Sequence, residues 1–125
     1  MDLVIRPAVE ADAPHIQMLC LAEGWLRFAQ PDYAKALESS DTRVACRAER
    51  VIGYARALTD GTITLFLCEL LVAPDCRGQG VGKALIESLH ADYPSARMDL
   101  ISDADGFYER QGFRRMGAGY RKNWS

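Results

Sequence analysis

Apolar and polar positions change their spacing several times along this chain, and each change marks an element. Leu3 and Ile5 share one face over residues 2–7, which predicts a strand. Asp12 and Pro14 suit a helix start, and Ile16, Leu19 and Cys20 then recur at helical spacing until Gly24. Trp25, Phe28 and Tyr33 cluster around the break before a second short helix, which starts near Asp32 and runs to Ser39. Over 43–48 the period becomes two, with Val44, Cys46 and Ala48 on one face. Glu49 and Arg50 read as a tight turn. The partner strand, 51–59, carries Ile52, Tyr54 and Leu58 on one side and Val51, Gly53, Ala55 and Ala57 on the other. Asp60-Gly61 is a hairpin signal. Residues 62–72 are almost continuously apolar, as expected of a central strand covered on both faces.

The pattern then turns abruptly. Val72 ends the apolar run, a polar turn follows, and Gly78, Gly80 and Gly82 alternate with Gln79 and Val81. Val81, Ala84, Leu85, Ser88 and Leu89 return to helical spacing, and Tyr93-Pro94 ends that helix. Residues 96–101 read as a strand reached through a crossover helix, hence parallel to the one before, with a right-handed connection. Asp103 reads as the cap of a short helix over 104–111, closed by Gly112. Residues 113–116 and 120–124 read as a final hairpin around Gly117-Ala118-Gly119. The expectation is a mixed α/β (α+β) fold: a mostly antiparallel central sheet flanked by about four helices, in the order β-α-α-β-β-β-α-β-α-β(-β). No repeat or low-complexity linker divides the chain, so residues 1–125 read as one domain.

Composition narrows the function classes. At 125 residues the chain can bury a sizeable core. Its 49% apolar and 26% charged residues are ordinary for a soluble globule. A net charge of −2 gives no argument for nucleic acid as the main partner. No apolar run reaches membrane-spanning length and no signal peptide is read at the start, so a cytoplasmic location is expected. Cys20, Cys46, Cys68 and Cys76 lack CxxC spacing and read as small buried hydrophobes, with no metal site among them. Cys76 stands apart because its place in the loop leaves room for exposure. A catalytic role for it is disfavoured, since neither His15 nor His90 is placed to activate it.

The glycine stretch carries the first chemistry. Three glycines in five residues remove side chains where backbone must come close to a ligand. The free N–H groups of a helix start favour an anion, and Arg77 adds a permanently charged fork. Two phosphate loops fail here. A Walker loop needs glycine at position 77 and Ser or Thr at 84, where Arg77 and Ala84 stand. A dinucleotide fingerprint needs glycine at 83, where Lys83 stands, and too little chain follows for a doubly wound domain. What fits is Arg77-Gly78-Gln79-Gly80-Val81-Gly82 with Val72-Ala73-Pro74 ahead of it. This R-x-x-G-x-G segment resembles the coenzyme A pyrophosphate loop of the GNAT superfamily of N-acetyltransferases. The opening Ile5-Arg6-Pro7-Ala8 with Glu10-Ala11-Asp12-Ala13 is similar to the usual start of those proteins, and Ala104-x-x-Phe107-Tyr108-x-x-x-Gly112-Phe113 resembles their A-x-x-F-Y-x-x-x-G-F block.

The resemblance implies a GNAT-type sheet and acetyl transfer from acetyl-CoA to a primary amine, of a small molecule or a peptide, by direct attack. It implies that Gly78, Gln79, Gly80, Val81, Gly82 and Lys83, with Arg77, hold the pyrophosphate. It implies that Leu70, Leu71 and Val72 pair their backbone with the pantetheine amides. Tyr108 is implied as the acid that protonates the departing thiolate. Glu69 is the charge that interrupts the apolar central strand. It reads either as the base beside the reacting carbonyl or as an ion-pair partner, with Arg56 the nearest candidate. The first helical region, with Trp25, Phe28 and Tyr33, is implied to wall the acceptor pocket, the alternative being plain core packing. Many family members have an asparagine where Ile101 stands, which touches the pantetheine arm; either Ser102 or Asp103 substitutes for it here, or the arm goes without that partner. A non-catalytic acyl-CoA-binding module is the competing reading. A homodimer is common in the family.

Overall fold

The computed structural model describes residues 2–124. Among these, five strands and four helices run in the order β1 (Leu3–Pro7), α1 (Ala13–Ala22), α2 (Tyr33–Glu38), β2 (Asp41–Arg47), β3 (Arg50–Thr59), β4 (Thr64–Val72), α3 (Val81–Asp92), β5 (Arg97–Asp99) and α4 (Asp105–Arg110). The strands form one sheet in sequence order. Strands β1 to β4 are an antiparallel meander, and β5 lies parallel to β4 at the far end of the α3 crossover. The mixed, mostly antiparallel sheet follows from the two hairpin turns and the single helical crossover legible in the sequence.

The sheet buries two cores, one on each face. On one face α3 places Val81, Leu85, Ile86 and Leu89 against Ala45, Ile52, Ala55, Ala57, Leu65 and Leu67. On the other, Ile16 and Cys20 of α1 and Tyr33 and Leu37 of α2 cover Val44, Cys46, Tyr54 and Leu71. Leu85 and Leu89 are wholly buried, and each such side chain stabilises the fold by about 1.5–3 kcal/mol. Gly53 leaves room for the start of α3: a Cβ there would lie 3.0 Å from the Leu71 carbonyl of the neighbouring strand and 3.4 Å from Val81.

Two bulges correct simple alternation. Ile52 is an extra residue between Cys46↔Val51 and Ala45↔Gly53. It therefore joins Ala55 in the α3-side core instead of facing the same way as Tyr54. Cys68 is the extra residue between Ala57↔Leu67 and Arg56↔Glu69. Below that bulge Leu65 and Leu67 face α3; above it Glu69 and Leu71 face α1 and α2. A bulge re-aims the side chains beyond it, and here it sends Leu70 and Val72 to the α3 side.

Other expectations need correcting. Strand β4 begins at Thr64, not at 62, because the Asp60 carboxylate accepts the backbone N–H of Thr62, Ile63 and Thr64 and holds them in a loop. The strand expected over 96–101 shortens to Arg97–Asp99. Asp103 does not cap α4; Ser102 Oγ accepts the Ala104 N–H instead. Cys76 is buried, at 6% exposure. The final hairpin does not form: among the described residues no strand follows α4. Met116, Tyr120 and Trp124 stay exposed among Arg114, Arg115, Arg121 and Lys122. So polar a segment buries too little to offset the entropy of ordering it.

Candidate functional site

The site begins where β4 stops. β5 pairs with β4 only at Thr64, Phe66 and the residue between. Beyond Phe66 the two strands part, and among the described residues no strand lies beside the β5-side edge of β4. A Pro74–Cys76 turn and the glycine loop then lead into α3. Gly78 and Gly80 sit at φ 77° and 83°, and a Cβ at either would meet nothing within 4 Å. The loop is thus open on its outer side, and its left-handed backbone requires glycine. Gly82 serves differently. A Cβ there would lie 3.0 Å from the Phe107 ring, so this glycine lets α4 pack against the first turn of α3.

Arginines from three directions brace the loop, a feature the sequence pattern does not reveal. Arg50 makes a two-pronged pair with Asp75, at 2.9 and 3.0 Å, and holds that carboxyl below its ordinary range. Arg47 donates to the Gln79 side chain at 2.7 Å. Arg77 donates to the Val72 carbonyl at 2.9 Å and, with a second nitrogen, to both Glu23 oxygens at 2.7–2.8 Å. The guanidinium expected to serve an anion therefore also ties the end of β4 to the end of α1.

Together these elements enclose a cleft of about 810 Å³. One wall is Leu70, Leu71 and Val72 followed by Arg77, Gly78, Gly80, Val81, Gly82 and Lys83. The facing wall is Asp103, Ala104, Phe107 and Tyr108, and Glu23 and Trp25 close one end. Ten of the twelve expected site residues line this cleft; Gln79 and Glu69 do not. The position expected to carry asparagine, Ile101, does not line it either, whereas Asp103 does.

Tyr108 is held on α4 by edge-to-face contacts with Phe107 and Phe113, at 5.1 and 5.6 Å between ring centres. Gly112, at φ 90°, ends the helix and turns Phe113 back onto it. Burial, then the negative charge of Asp103, push the Tyr108 phenol above its ordinary pKa. It carries its proton at neutral pH and can give a hydrogen bond to a group in the cleft.

Glu69 lies on the other face of the sheet, 7% exposed. Arg56 clasps it with two bonds, at 2.7 and 2.8 Å. Tyr33 Oη donates to it, and Tyr54 Oη lies 3.4 Å away. The network continues to Cys20 Sγ, 3.3 Å from Tyr54, and to Ser40 Oγ, 3.1 Å from Arg56. Burial pushes both tyrosines upward, helped by the Glu69 carboxylate. Of the aromatics expected to wall an acceptor pocket, only Trp25 reaches the cleft. Phe28 stacks between Trp25 and Tyr33, and Tyr33 is core.

Comparison with known families decides what this arrangement is. The GNAT acetyltransferase domain matches residues 38–115, which include β4, the glycine loop and Tyr108. The chain belongs to the GNAT acetyltransferase family. By that membership it is an acetyltransferase domain. A GNAT-family acetyltransferase from Streptococcus pneumoniae TIGR4 superposes with a TM-score of 0.80 over 98% of this chain and 100% of that one, at 23% identity. That likeness shows the fold alone. A Glycine max protein named Histone acetyltransferase TAP1 is 31% identical over 90% of this chain and 56% of its own length. An Oryza sativa subsp. japonica protein named Serotonin N-acetyltransferase 2, chloroplastic, is 30% identical over 88% of this chain and 60% of its own. The GNAT domain here thus spans little more than half the length of these relatives. GNAT proteins use acetyl-CoA, and two features fit that cosubstrate: a loop whose open side a Cβ at Gly78 or Gly80 would obstruct, and an unpaired β4 edge.

Proposed function

We propose that this domain transfers an acetyl group from acetyl-CoA to a primary amine, of a small molecule or a peptide, by direct attack in the cleft between β4 and α4. The observation that carries the reading is that the open glycine cradle, the unpaired β4 edge and the Tyr108 phenol meet in one cavity. Bound acetyl-CoA supplies a thioester whose carbonyl carbon forms the new C–N bond as its C–S bond breaks.

The chain's own groups account for the rest. The N–H groups at the start of α3 and the Gly78–Gly80 backbone take the pyrophosphate. The free edge at Leu70–Val72 pairs with the amides of an extended chain, as an added strand does. Holding both reactants on one strand edge supplies proximity. Tyr108 gives its proton, or a hydrogen bond, to the departing thiolate, and regains it from solvent. An ammonium acceptor gives up its proton to solvent before attack. Glu69 has its oxygens engaged by Arg56 and Tyr33, which supports the ion-pair reading over the base. It supports the site by fixing Tyr33 and Arg56 behind Leu71. The four free thiols suit a reducing compartment such as the cytoplasm.

A thermal-shift titration with acetyl-CoA, CoA, ATP and NAD tests the cosubstrate. At one hundred times its dissociation constant a ligand adds about 2.7 kcal/mol. Stabilisation by the two CoA species alone is expected, followed by amine-dependent release of free CoA thiol. Stabilisation by ATP or NAD instead, or by nothing, refutes the reading.

A further inference from the structure

One ion pair ties the Trp25 end of the cleft to the glycine loop, and its acidic member stands where local rules disfavour it. Glu23 is the C-terminal cap of α1. A carboxylate there meets the negative end of the helix dipole, and no basic residue lies in the last turn of α1 to offset it. Arg77, from the loop after β4, does so instead. Its Nη2 donates to both Glu23 oxygens, at 2.7 and 2.8 Å, and its Nε donates to the Val72 carbonyl at 2.9 Å. The Arg77 and Glu23 side chains are 48% and 23% exposed, and ion pairs screened by water in this way add little to stability. Among the described residues no other hydrogen bond or ion pair joins residues 13–32 to residues 72–83. A residue that breaks a local rule while adding little stability points to a role in the site.

The geometry at Arg77 supplies that role. Nε and Nη2 are engaged, and Nη1 donates to nothing among the described residues. A guanidinium is planar and rigid, so holding two of its nitrogens fixes the direction of the third. Trp25, two residues beyond Glu23, is held by its N–H bond to the Cys20 carbonyl, at 2.8 Å, and both Glu23 and Trp25 line the cleft. We propose that Glu23 is a positioning residue for acetyl transfer: through Arg77 it aims Nη1 at the pyrophosphate and holds the Trp25 corner at a set distance from the glycine loop. The inference rests on acetyl-CoA being the cosubstrate. It makes a prediction opposite to that of charge alone. Glu23 is a negative charge near an anion site, so by Coulomb attraction its neutralisation would tighten acetyl-CoA binding; as a positioning residue, its neutralisation weakens it.

The test is calorimetric titration of the whole chain with acetyl-CoA, in a Trp124→Phe parent where Trp25 is the single tryptophan. Glu23→Gln should weaken acetyl-CoA at least fivefold while the unfolding midpoint stays near the parent's. Arg77→Lys keeps the charge but loses the planar fork, and should weaken binding at least as much. The double variant should be no worse than the worse single one, because both changes remove the same bridge. Acrylamide quenching of Trp25 fluorescence, read without ligand, should rise in both single variants. In a parent that binds acetyl-CoA, equal or tighter binding by Glu23→Gln overturns the positioning role alone, as do additive losses in the double variant. Unchanged Trp25 quenching overturns the tie between that corner and the loop. A parent that binds no acetyl-CoA overturns the proposed function and this inference with it.

Discussion

The two faces of β4 hold the two groups with the strongest claim to chemistry, and they are built in opposite ways. Tyr108 stands on the α3–α4 side against a cleft, its ring fixed by carbon contacts with Phe107 and Phe113. Its phenol faces space that a substrate can enter. Glu69 stands on the α1–α2 side, buried, with its oxygens taken by Arg56 and Tyr33. One group is positioned by apolar packing and left chemically open; the other is satisfied by polar partners and closed. The contrast separates a reactive group from a supporting one better than residue type does. The bulge at Cys68 produces it, because it turns Glu69 away from the face that carries Leu65 and Leu67.

The sharpest way to break this contrast is to remove each group. Glu69→Ala leaves Arg56 buried with an uncompensated charge, and such a change costs about 3–5 kcal/mol. Urea unfolding should show a loss of that size, whereas Arg56→Met/Glu69→Leu should recover most of it. If Glu69→Ala unfolds like the parent but has lost turnover, Glu69 is the base after all and the contrast is wrong. Tyr108→Phe should do the reverse. General-acid groups contribute about 10²–10⁴-fold, so turnover should fall at least 100-fold while the acetyl-CoA dissociation constant and unfolding midpoint stay near the parent's. Parental turnover would remove the acid role.

Alkaline pH sharpens the comparison at smaller amplitude. Tyr33 and Tyr54 are raised well above their ordinary pKa, first by burial. In the unfolded chain they release their protons near pH 10, while the folded chain keeps them. Their contribution is whole below pH 10 and declines as pH rises above it, by about 1.4 kcal/mol per pH unit for each group. Stability measured from pH 9 to 11 should fall steeply, and Tyr54→Phe should shallow the fall. An unchanged slope in that variant would mean that water reaches the network.

Much of this was legible in advance because it rests on local rules. Alternation over 43–59, the Asp60-Gly61 turn and the return to helical spacing after Gly80 placed three of the five strands and α3. The glycine loop and Tyr108 were legible because backbone geometry and a fixed motif determine them. What was not legible is non-local. A bulge adds one residue without a strong composition signal, so the rotation of Glu69 and the placement of Ile52 needed the pairing register. The arginine bracing joins Arg47 and Arg50 to residues 25 or more positions away. Residues 113–124 do not form the expected hairpin, because polar and charged residues separate Phe113, Met116, Tyr120 and Trp124 and leave no face apolar enough to bury.

The smallest predicted effects on stability lie inside the glycine loop, where two glycines at alternate positions should fail for different reasons. In Gly82→Ala the new methyl meets the end of the Phe107 ring at 3.0 Å. Overpacking of this kind costs about 1–3 kcal/mol, and it pushes away the helix that carries Tyr108. Gly82→Ala should therefore lower both stability and turnover, and Phe107→Leu in the same chain should restore stability but not turnover. In Gly80→Ala the new methyl meets nothing within 4 Å, but φ is 83°. The cost, about 1 kcal/mol, comes from the left-handed backbone alone, so no second-site change in α4 should relieve it. If the outer side of the loop is where the pyrophosphate lies, Gly80→Ala weakens acetyl-CoA binding more than it weakens the fold, and Gly80→Glu abolishes that binding while the chain still folds. Calorimetric titration of both variants separates the cases. Equal affinity in Gly80→Glu and the parent would move the cosubstrate off this loop and leave Tyr108 facing a cleft that serves another ligand.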